Sequence, residues 1–184
     1  LPVVVSRVAK VNYPLFISLA GFTAKDFLVQ LRFLQRYFKP AAVEINISSP
    51  TYKGFWKTAP QLAEVDIPIF LKVGPSVDLS SAVAQARRAG WGLVVTNTIP
   101  IEDRRISVGR GGLSGLLLYK YGLEILKKAR RLAGRDVAII YTGGVFTCRQ
   151  VKEVLAYADG VEVLTAVLYF TPVILRWLNQ CGRS

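Results

Sequence analysis

The sequence predicts an α/β protein, a (β/α)8 TIM barrel of which six of the eight strands are present in this chain. Two observations carry this prediction. Short runs rich in Val, Ile and Leu alternate with helix-like segments, which is the pattern of parallel strands joined by helical crossovers. Each run is apolar in its middle and polar or glycine-rich at its C-terminal end, where such barrels build their active sites. A dinucleotide-binding sheet has less support, because no GxGxxG motif follows the first strand.

The predicted strands share a composition that suits burial on both faces. They are LFISLA (15–20), AVEINIS (42–48), IPIFLKV (67–73), GLVVTNT (92–98), VAIIYTG (137–143) and VEVLTAV (161–167). A complete barrel has eight strands, so we expect residues 1–184 to form a single barrel domain that lacks strands one and two.

Helices are predicted between these strands from their capping residues. The predicted starts are Thr23, Asp78 or Ser80, Leu116 and Thr147. Gln150 follows Thr147 by three residues, as in a capping box, and Asp26 has the same spacing from Thr23. The segment 99–115 shows little periodicity, which predicts a long lid or binding loop at the mouth of the barrel.

The composition narrows the possible functions. The chain has 184 residues, 52% of them hydrophobic, enough for one globular domain with a real core. The net charge of +12 suits an anionic ligand, but the charges fall mostly in helical segments and no aromatic-plus-basic motif accompanies them. We therefore expect no nucleic-acid partner.

The two cysteines and one apolar segment indicate where in the cell the protein is found. Cys148 and Cys181 are too few for a disulfide framework or a zinc site, and they favour structural thiols in a reducing cytoplasm. The segment Val161–Leu178 is long enough to cross a membrane. Glu162 and Pro172 interrupt it, so we predict a strand followed by a helix and no transmembrane segment. We also predict no metal site.

Polar side chains at the strand ends are the candidates for chemistry. In VEINISS, the period of two places Glu44, Asn46 and Ser48 on one face, which we expect to point into the barrel. Lys72 is the one charge in its strand, and a buried ammonium needs a partner. Two interpretations stay open for it: a salt bridge to Glu44 or Glu162, or a cation that faces an anionic cofactor.

Three glycine-rich or small-residue turns point to a phosphate. They are GGLSG (111–115), TGGV (142–145) and LTA (164–166). Glycines let backbone N–H groups approach an anion, and barrels often bind phosphate at the loops after strands seven and eight. The TNT segment (96–98) ends another strand and could hydrogen-bond a small planar ligand.

Together, the motifs INISSP, IPIFLKVGP, GLVVTNT, GGLSG, IIYTGGV and VEVLTAV resemble the dihydroorotate dehydrogenase family. This resemblance implies an FMN-dependent flavoprotein that oxidises (S)-dihydroorotate to orotate in de novo pyrimidine (UMP) biosynthesis. It also implies that Ser49 is the base that removes the C5 proton while the C6 hydride passes to flavin N5. With no histidine in the chain, a water or a neighbouring hydroxyl would have to carry the proton away.

The resemblance also assigns binding residues. Cofactor contacts are implied for Ser18, Asn46, Lys72, Thr96, Gly115, Gly144, Leu164 and Thr165. Substrate contacts are implied for Asn46, Thr51, Asn97 and Thr98. Lys72 would stabilise negative charge on the reduced flavin. The family usually has Asn where this chain has Thr51, which leaves a related flavin barrel with another substrate as an alternative.

A non-catalytic barrel fragment is the third interpretation, supported by the missing strands. The resemblance leaves the electron acceptor open between quinone, fumarate, NAD and others. A homo-oligomer is a further possibility.

Overall fold

The computed structural model describes residues 13–47, 62 and 65–182, and the predicted strands form one parallel sheet within it. The sheet is a curled half-barrel. Its strands are β1 Phe16–Leu19, β2 Ala42–Asn46, β3 Ile69–Val73, β4 Gly92–Val95, β7 Ile139–Thr142 and β8 Gly160–Glu162, and they lie side by side in that order. The predicted fold class is confirmed, and all the C-terminal strand ends lie at the same rim.

Helices connect the strands and cover the sheet. They are α1 Ala24–Tyr37, α2 Leu79–Ala89, α3 Tyr119–Ala133, α4 Cys148–Leu155, α5 Thr165–Phe170 and α6 Val173–Cys181, with a 3₁₀ turn over Gly115–Leu118. The capping box at Thr147 and Gln150 is present, and a second one joins Thr23 and Asp26. Asp78 caps α2 through the N–H groups of its first turn. Local sequence therefore sets these helix starts.

Two sequence predictions are wrong in their details. The segment predicted as a loop with little regular structure contains an antiparallel hairpin, β5 Ile99–Glu102 paired with β6 Arg110–Leu113. The last strand was predicted to run to 167, but β8 ends at Glu162 and α5 begins at Thr165. Apolar β-branched residues continue through both elements, so composition alone could not locate that boundary.

The core lies between the sheet and its helices. Phe27 and Leu31 from α1 are fully buried, as are Val43 and Ile45 from β2 and Leu126 from α3. This packing fixes the angle at which each strand delivers its C-terminal residues to the rim.

The cysteine prediction is also wrong. Cys148 at the start of α4 and Cys181 at the end of α6 form a disulfide, with their Cα atoms 5.2 Å apart. The bond closes a sequence separation of 33 residues and ties α6 to α4.

Within the described residues, none of the helices has the length and apolar character needed to span a bilayer, and the apolar segment near the C-terminus is divided between β8, α5 and α6.

A buried arginine joins the N-terminal ends of the last two strands. The Arg130 guanidinium donates to the carbonyls of Tyr157 (2.6 Å) and Val137 (3.1 Å) and to the Asp159 carboxylate (2.7 Å). Burial alone would raise the pKa of Asp159, but hydrogen bonds from the Ile139 N–H and from Arg130 outweigh it and lower this pKa. The fold therefore depends on a charged pair at the end of the sheet opposite the rim.

Replacing Arg130 should destabilise the protein. Arg130→Ala removes the donor to several carbonyls and one of the two donors to the Asp159 carboxylate, and we expect the free energy of unfolding to fall by about 3 kcal/mol in urea titrations. Its exposed neighbour Arg131 is a matched control, and Arg131→Ala should change stability by less than about 0.5 kcal/mol. Equal effects for the two variants would contradict the structural role of Arg130.

Thr171, between α5 and α6, adopts a backbone conformation that glycine prefers. Its φ of 64° and ψ of 171° lie in a region that β-branched residues rarely occupy. We expect Thr171→Gly to raise the free energy of unfolding by about 1 kcal/mol, measured by urea denaturation. Thr171→Ala keeps the Cβ and is the control, so an equal gain there would show that backbone conformation is not the cause.

Candidate active site

A cavity opens at the C-terminal rim of the sheet, where the strand directions bring the predicted polar residues together. Its volume is about 120 Å³, room for several water-sized groups. Eight residues predicted to bind cofactor or substrate line it: Lys72, Thr96, Asn97, Thr98, Gly115, Gly144, Leu164 and Thr165. Residues far apart in sequence therefore converge on one site.

Asn46 lies beside this cavity at the end of β2. Its side-chain oxygen accepts a hydrogen bond from the Asn97 amide at 3.4 Å. The Asn97 oxygen in turn accepts from the Thr98 backbone N–H at 2.8 Å. The two carboxamides are thus oriented by each other and by the backbone, and amides of this kind can both donate to and accept from a planar heterocycle.

Lys72 is held between two carboxylates. Its ammonium lies 3.0 Å from the Glu44 carboxylate on β2 and 3.7 Å from the Glu162 carboxylate on β8. Ser18 on β1 donates to the other Glu44 oxygen at 2.5 Å. Both salt-bridge partners suggested by the sequence are present, and Lys72 lines the cavity as well. The two interpretations of this residue are therefore compatible.

The two carboxylates differ in their surroundings. The Glu44 side chain is 4% exposed and has both a hydroxyl and an ammonium partner, whereas Glu162 is 29% exposed and lines the cavity. Burial raises the pKa of Glu162, and the nearby charge of Glu44 raises it further, against the opposing effect of Lys72. Glu162 therefore combines a raised pKa with a position on the cavity wall.

Glycines bring three loops into contact at one side of the cavity. Gly115 and Gly144 have φ values of 70° and 69°. A Cβ on Gly144 would lie 2.2 Å from the Gly115 carbonyl oxygen, and one on Gly115 would lie 3.2 Å from Thr165 Cγ2. Such close backbone approach requires glycine and leaves main-chain groups facing the cavity.

Tyr141 supports this arrangement, and sequence reasoning missed it. The side chain is buried in β7, and burial raises its pKa. Its hydroxyl donates to the Gly143 carbonyl at 2.8 Å, which fixes the turn that carries Gly144. A tyrosine among aliphatic residues two positions before a glycine pair was the available signal, because a buried hydroxyl needs a partner.

Thr96 provides a test of whether a polar ligand fits. Its side chain is fully buried, and its Oγ1 has no hydrogen-bond partner among the described residues. Since Thr96 lines the cavity, a polar ligand there could satisfy this oxygen. The donor set and the glycine-rich loops therefore fit a phosphate-bearing planar group such as a flavin nucleotide.

The remaining residues that the sequence predicted for the site do not line the cavity in the described part of the chain. Ser18 is exposed and its hydroxyl is bound to Glu44, so it contacts the site through that carboxylate. Ser49 and Thr51 lie outside the described residues. No cluster of His, Cys, Asp and Glu that could hold a metal occurs in the part of the chain that the structure describes.

The contact between Gly144 and Gly115 can be tested by substitution. Gly144→Ala adds both backbone strain and a clash, whereas Gly90→Ala adds the strain of a φ of 68° with nothing within 4 Å. In urea titrations we expect Gly90→Ala to cost about 1 kcal/mol and Gly144→Ala at least twice that. Equal losses would mean that the loops do not pack as closely as described.

Comparison with known proteins agrees with this geometry. The family model described as dihydroorotate dehydrogenase matches residues 3–180. A dihydroorotate dehydrogenase (quinone) of Mesorhizobium japonicum is 31% identical over 71% of this chain and 43% of its own length. The catalytic subunit of dihydroorotate dehydrogenase B (NAD(+)) of Saccharolobus solfataricus is 30% identical over 84% of the chain and 58% of its own length.

The solved structures agree on the fold. A ligand-free dihydroorotate dehydrogenase of Eimeria tenella has a TM-score of 0.70 at 22% identity and covers 86% of this chain and 55% of that one. The chain thus spans about half the length of the relatives it matches. The resemblance found in the sequence motifs is confirmed: the chain belongs to the dihydroorotate dehydrogenase family.

Proposed function

We propose that the full-length protein containing this chain oxidises (S)-dihydroorotate to orotate with FMN, as a step of de novo pyrimidine biosynthesis. The observation that carries the proposal is the convergence of Lys72, the segment 96–98 and the glycine contact of Gly115 and Gly144 on one cavity. Family membership supports the same reaction class, since the matched relatives are named dihydroorotate dehydrogenases.

The described residues fit FMN at three points. Gly115, Gly144 and Thr165 bring backbone groups together where a ribityl phosphate would bind, and Leu164 flanks them. The Thr96 hydroxyl would pair with a polar edge of the ring system. Lys72 and Asn46 would lie beside the ring, with Lys72 offering positive charge. FMN, when bound, would supply the hydride acceptor.

The pyrimidine would be oriented by three side chains. Asn46, Asn97 and Thr98 offer amide and hydroxyl groups that match alternating donors and acceptors on a heterocycle. Because Asn46 and Asn97 hold each other, little rotational freedom would be lost when substrate binds. Thr51, in place of the family's usual Asn, would contribute a single hydroxyl.

Ser49 is the proposed base for the C5 proton, by resemblance to the family. Serine is weak as a base, and the chain contains no histidine to activate it. The proton must therefore leave through water or a neighbouring hydroxyl.

A second candidate is a related flavin oxidoreductase with another substrate, and Thr51 is the observation that favours it. A site that lacks one carboxamide would bind a pyrimidine carboxylate less strongly. Such an enzyme would bind FMN equally well but would not be reduced by dihydroorotate. The third candidate, a barrel without catalytic activity, would not retain flavin tightly.

The same proposal covers the electron acceptor, the cellular compartment and the partners of the protein. Relatives named for quinone and for NAD(+) match at 31% and 30% identity, so likeness favours neither acceptor. We propose a cytoplasmic enzyme that acts on a small molecule and not on nucleic acid, with a homo-oligomer as its possible assembly. The disulfide between Cys148 and Cys181 is unusual for that compartment, where cysteine thiols are normally kept reduced.

The half-reaction tests this proposal. Full-length protein should carry a yellow flavin whose visible absorbance bleaches when dihydroorotate is added without oxygen. Ser49→Ala should slow bleaching by about 10²–10⁴-fold, the usual contribution of a positioned base. Ser80→Ala, which removes an exposed hydroxyl from the first turn of α2, is the control and should bleach at the wild-type rate.

Each other outcome has a defined meaning. A yellow protein that does not bleach would favour the second candidate and direct attention to Thr51. A colourless protein that also fails to take up added FMN would contradict the enzymatic proposal altogether.

A further inference from the structure

The ion-pair cluster of Glu44, Lys72 and Glu162 beside the cavity carries an excess of negative charge that opposes the binding of an anionic ligand. Glu44, Lys72 and Glu162 bring two carboxylates and one ammonium together within 4 Å contacts. Among the described residues that line the cavity, Lys72 and Glu162 are the charged ones. With both carboxylates ionised, the cluster has a net charge of −1, which would repel a phosphate-bearing ligand.

The two carboxylates have different surroundings, and these determine which of them can be protonated to remove the net negative charge. Glu44 accepts from the Ser18 hydroxyl at 2.5 Å and from Lys72 at 3.0 Å, so its ionised form has two donors. Glu162 has the longer contact to Lys72, 3.7 Å, and faces the like charge of Glu44. Among the described residues of this rim, Thr142 pairs with Glu162 from β7 and Thr165 lies three positions after it at the start of α5, and neither carries a charge.

We propose that Glu162 takes up one proton from solvent when an anionic ligand binds in this cavity, so that Lys72 is left with Glu44 as its ionised partner and the net charge of the cluster changes from −1 to zero. The carboxylate becomes a carboxylic acid, and no other bond forms or breaks. The inference deepens the proposed function, because it assigns a proton-coupled role to a residue beside the proposed FMN site.

The elevated pKa of Glu162 supports this role. Burial and Glu44 already raise it above the ordinary value of 4.5 in the absence of ligand. A bound anion adds a second negative neighbour and raises it further. By linkage, ligand affinity must then rise as pH falls between the pKa of Glu162 in the complex and its lower pKa in the free protein.

The direct test measures the protonation of Glu162. We would record carboxyl ¹³C NMR titrations of full-length protein alone, with inorganic phosphate and with FMN, and identify the Glu162 resonance by its loss in Glu162→Gln. We expect the midpoint to lie above 4.5 in free protein and to move upward with either anion. Glu124→Gln removes an exposed carboxylate from α3 and is the matched control, which should leave the Glu162 titration unchanged.

Affinity provides an independent readout. The Kd for FMN should fall by up to about tenfold per pH unit as pH decreases through this window. Glu162→Gln, whose side chain is always neutral, should remove most of that dependence and bind at the level reached by wild type at low pH.

The possible outcomes separate this inference from the proposed function. If FMN binds but the Glu162 midpoint does not move, the inference is overturned while the proposed function stands. If phosphate moves the midpoint but FMN does not bind, the proposed function fails and the inference stands. A midpoint that neither anion moves overturns the inference, whether or not the anions bind.

Discussion

The ion-pair cluster around Lys72 is the interaction on which the rest of the site depends. Lys72 on β3 lies between Glu44 on β2 and Glu162 on β8, and Ser18 on β1 completes the hydrogen bonding of Glu44. A buried charge is tolerated only when it is paired, so each of these strands needs the others in register. The cluster connects the first strands of the sheet to the last across the interior of the half-barrel.

This connection explains how a stabilising contact can also serve chemistry. Glu44 is almost fully buried, so it anchors Lys72 from the interior side. Glu162 and Lys72 line the cavity, so their charges are available to whatever binds there. On the other side of the cavity, the contact between Gly115 and Gly144 supplies a surface of backbone groups. One side of the site therefore presents charged side chains to a ligand, and the other side lets a ligand come close to the main chain.

The sequence predicted those features that depend on local pattern. Apolar composition located the strands of the parallel sheet, and the capping residues Thr23, Asp78 and Thr147 located three helix starts. The partners of Lys72 were foreseen because a charge inside a strand must be paired. These predictions require only information from residues that are close in sequence, or the general rule that the C-terminal ends of parallel strands lie at the same rim of the sheet.

Features that depend on distant contacts were not predictable in this way. The disulfide between Cys148 and Cys181 requires α6 to return beside α4, and nothing in either helix indicates it. The β5–β6 hairpin has glycines on one strand and charges on both, which conceals its pairing. Tertiary packing likewise determines the carbonyl contacts of Tyr141 and leaves the Thr96 hydroxyl without a partner among the described residues.

The most direct test of the account is a crystal structure of the full-length protein with FMN. We predict that the phosphate contacts the loops of Gly115 and Gly144 and the start of α5, with the flavin ring beside Lys72 and the Thr96 hydroxyl. A flavin bound elsewhere, or a phosphate that does not contact the glycine loops, would contradict the proposal that this rim is the cofactor site.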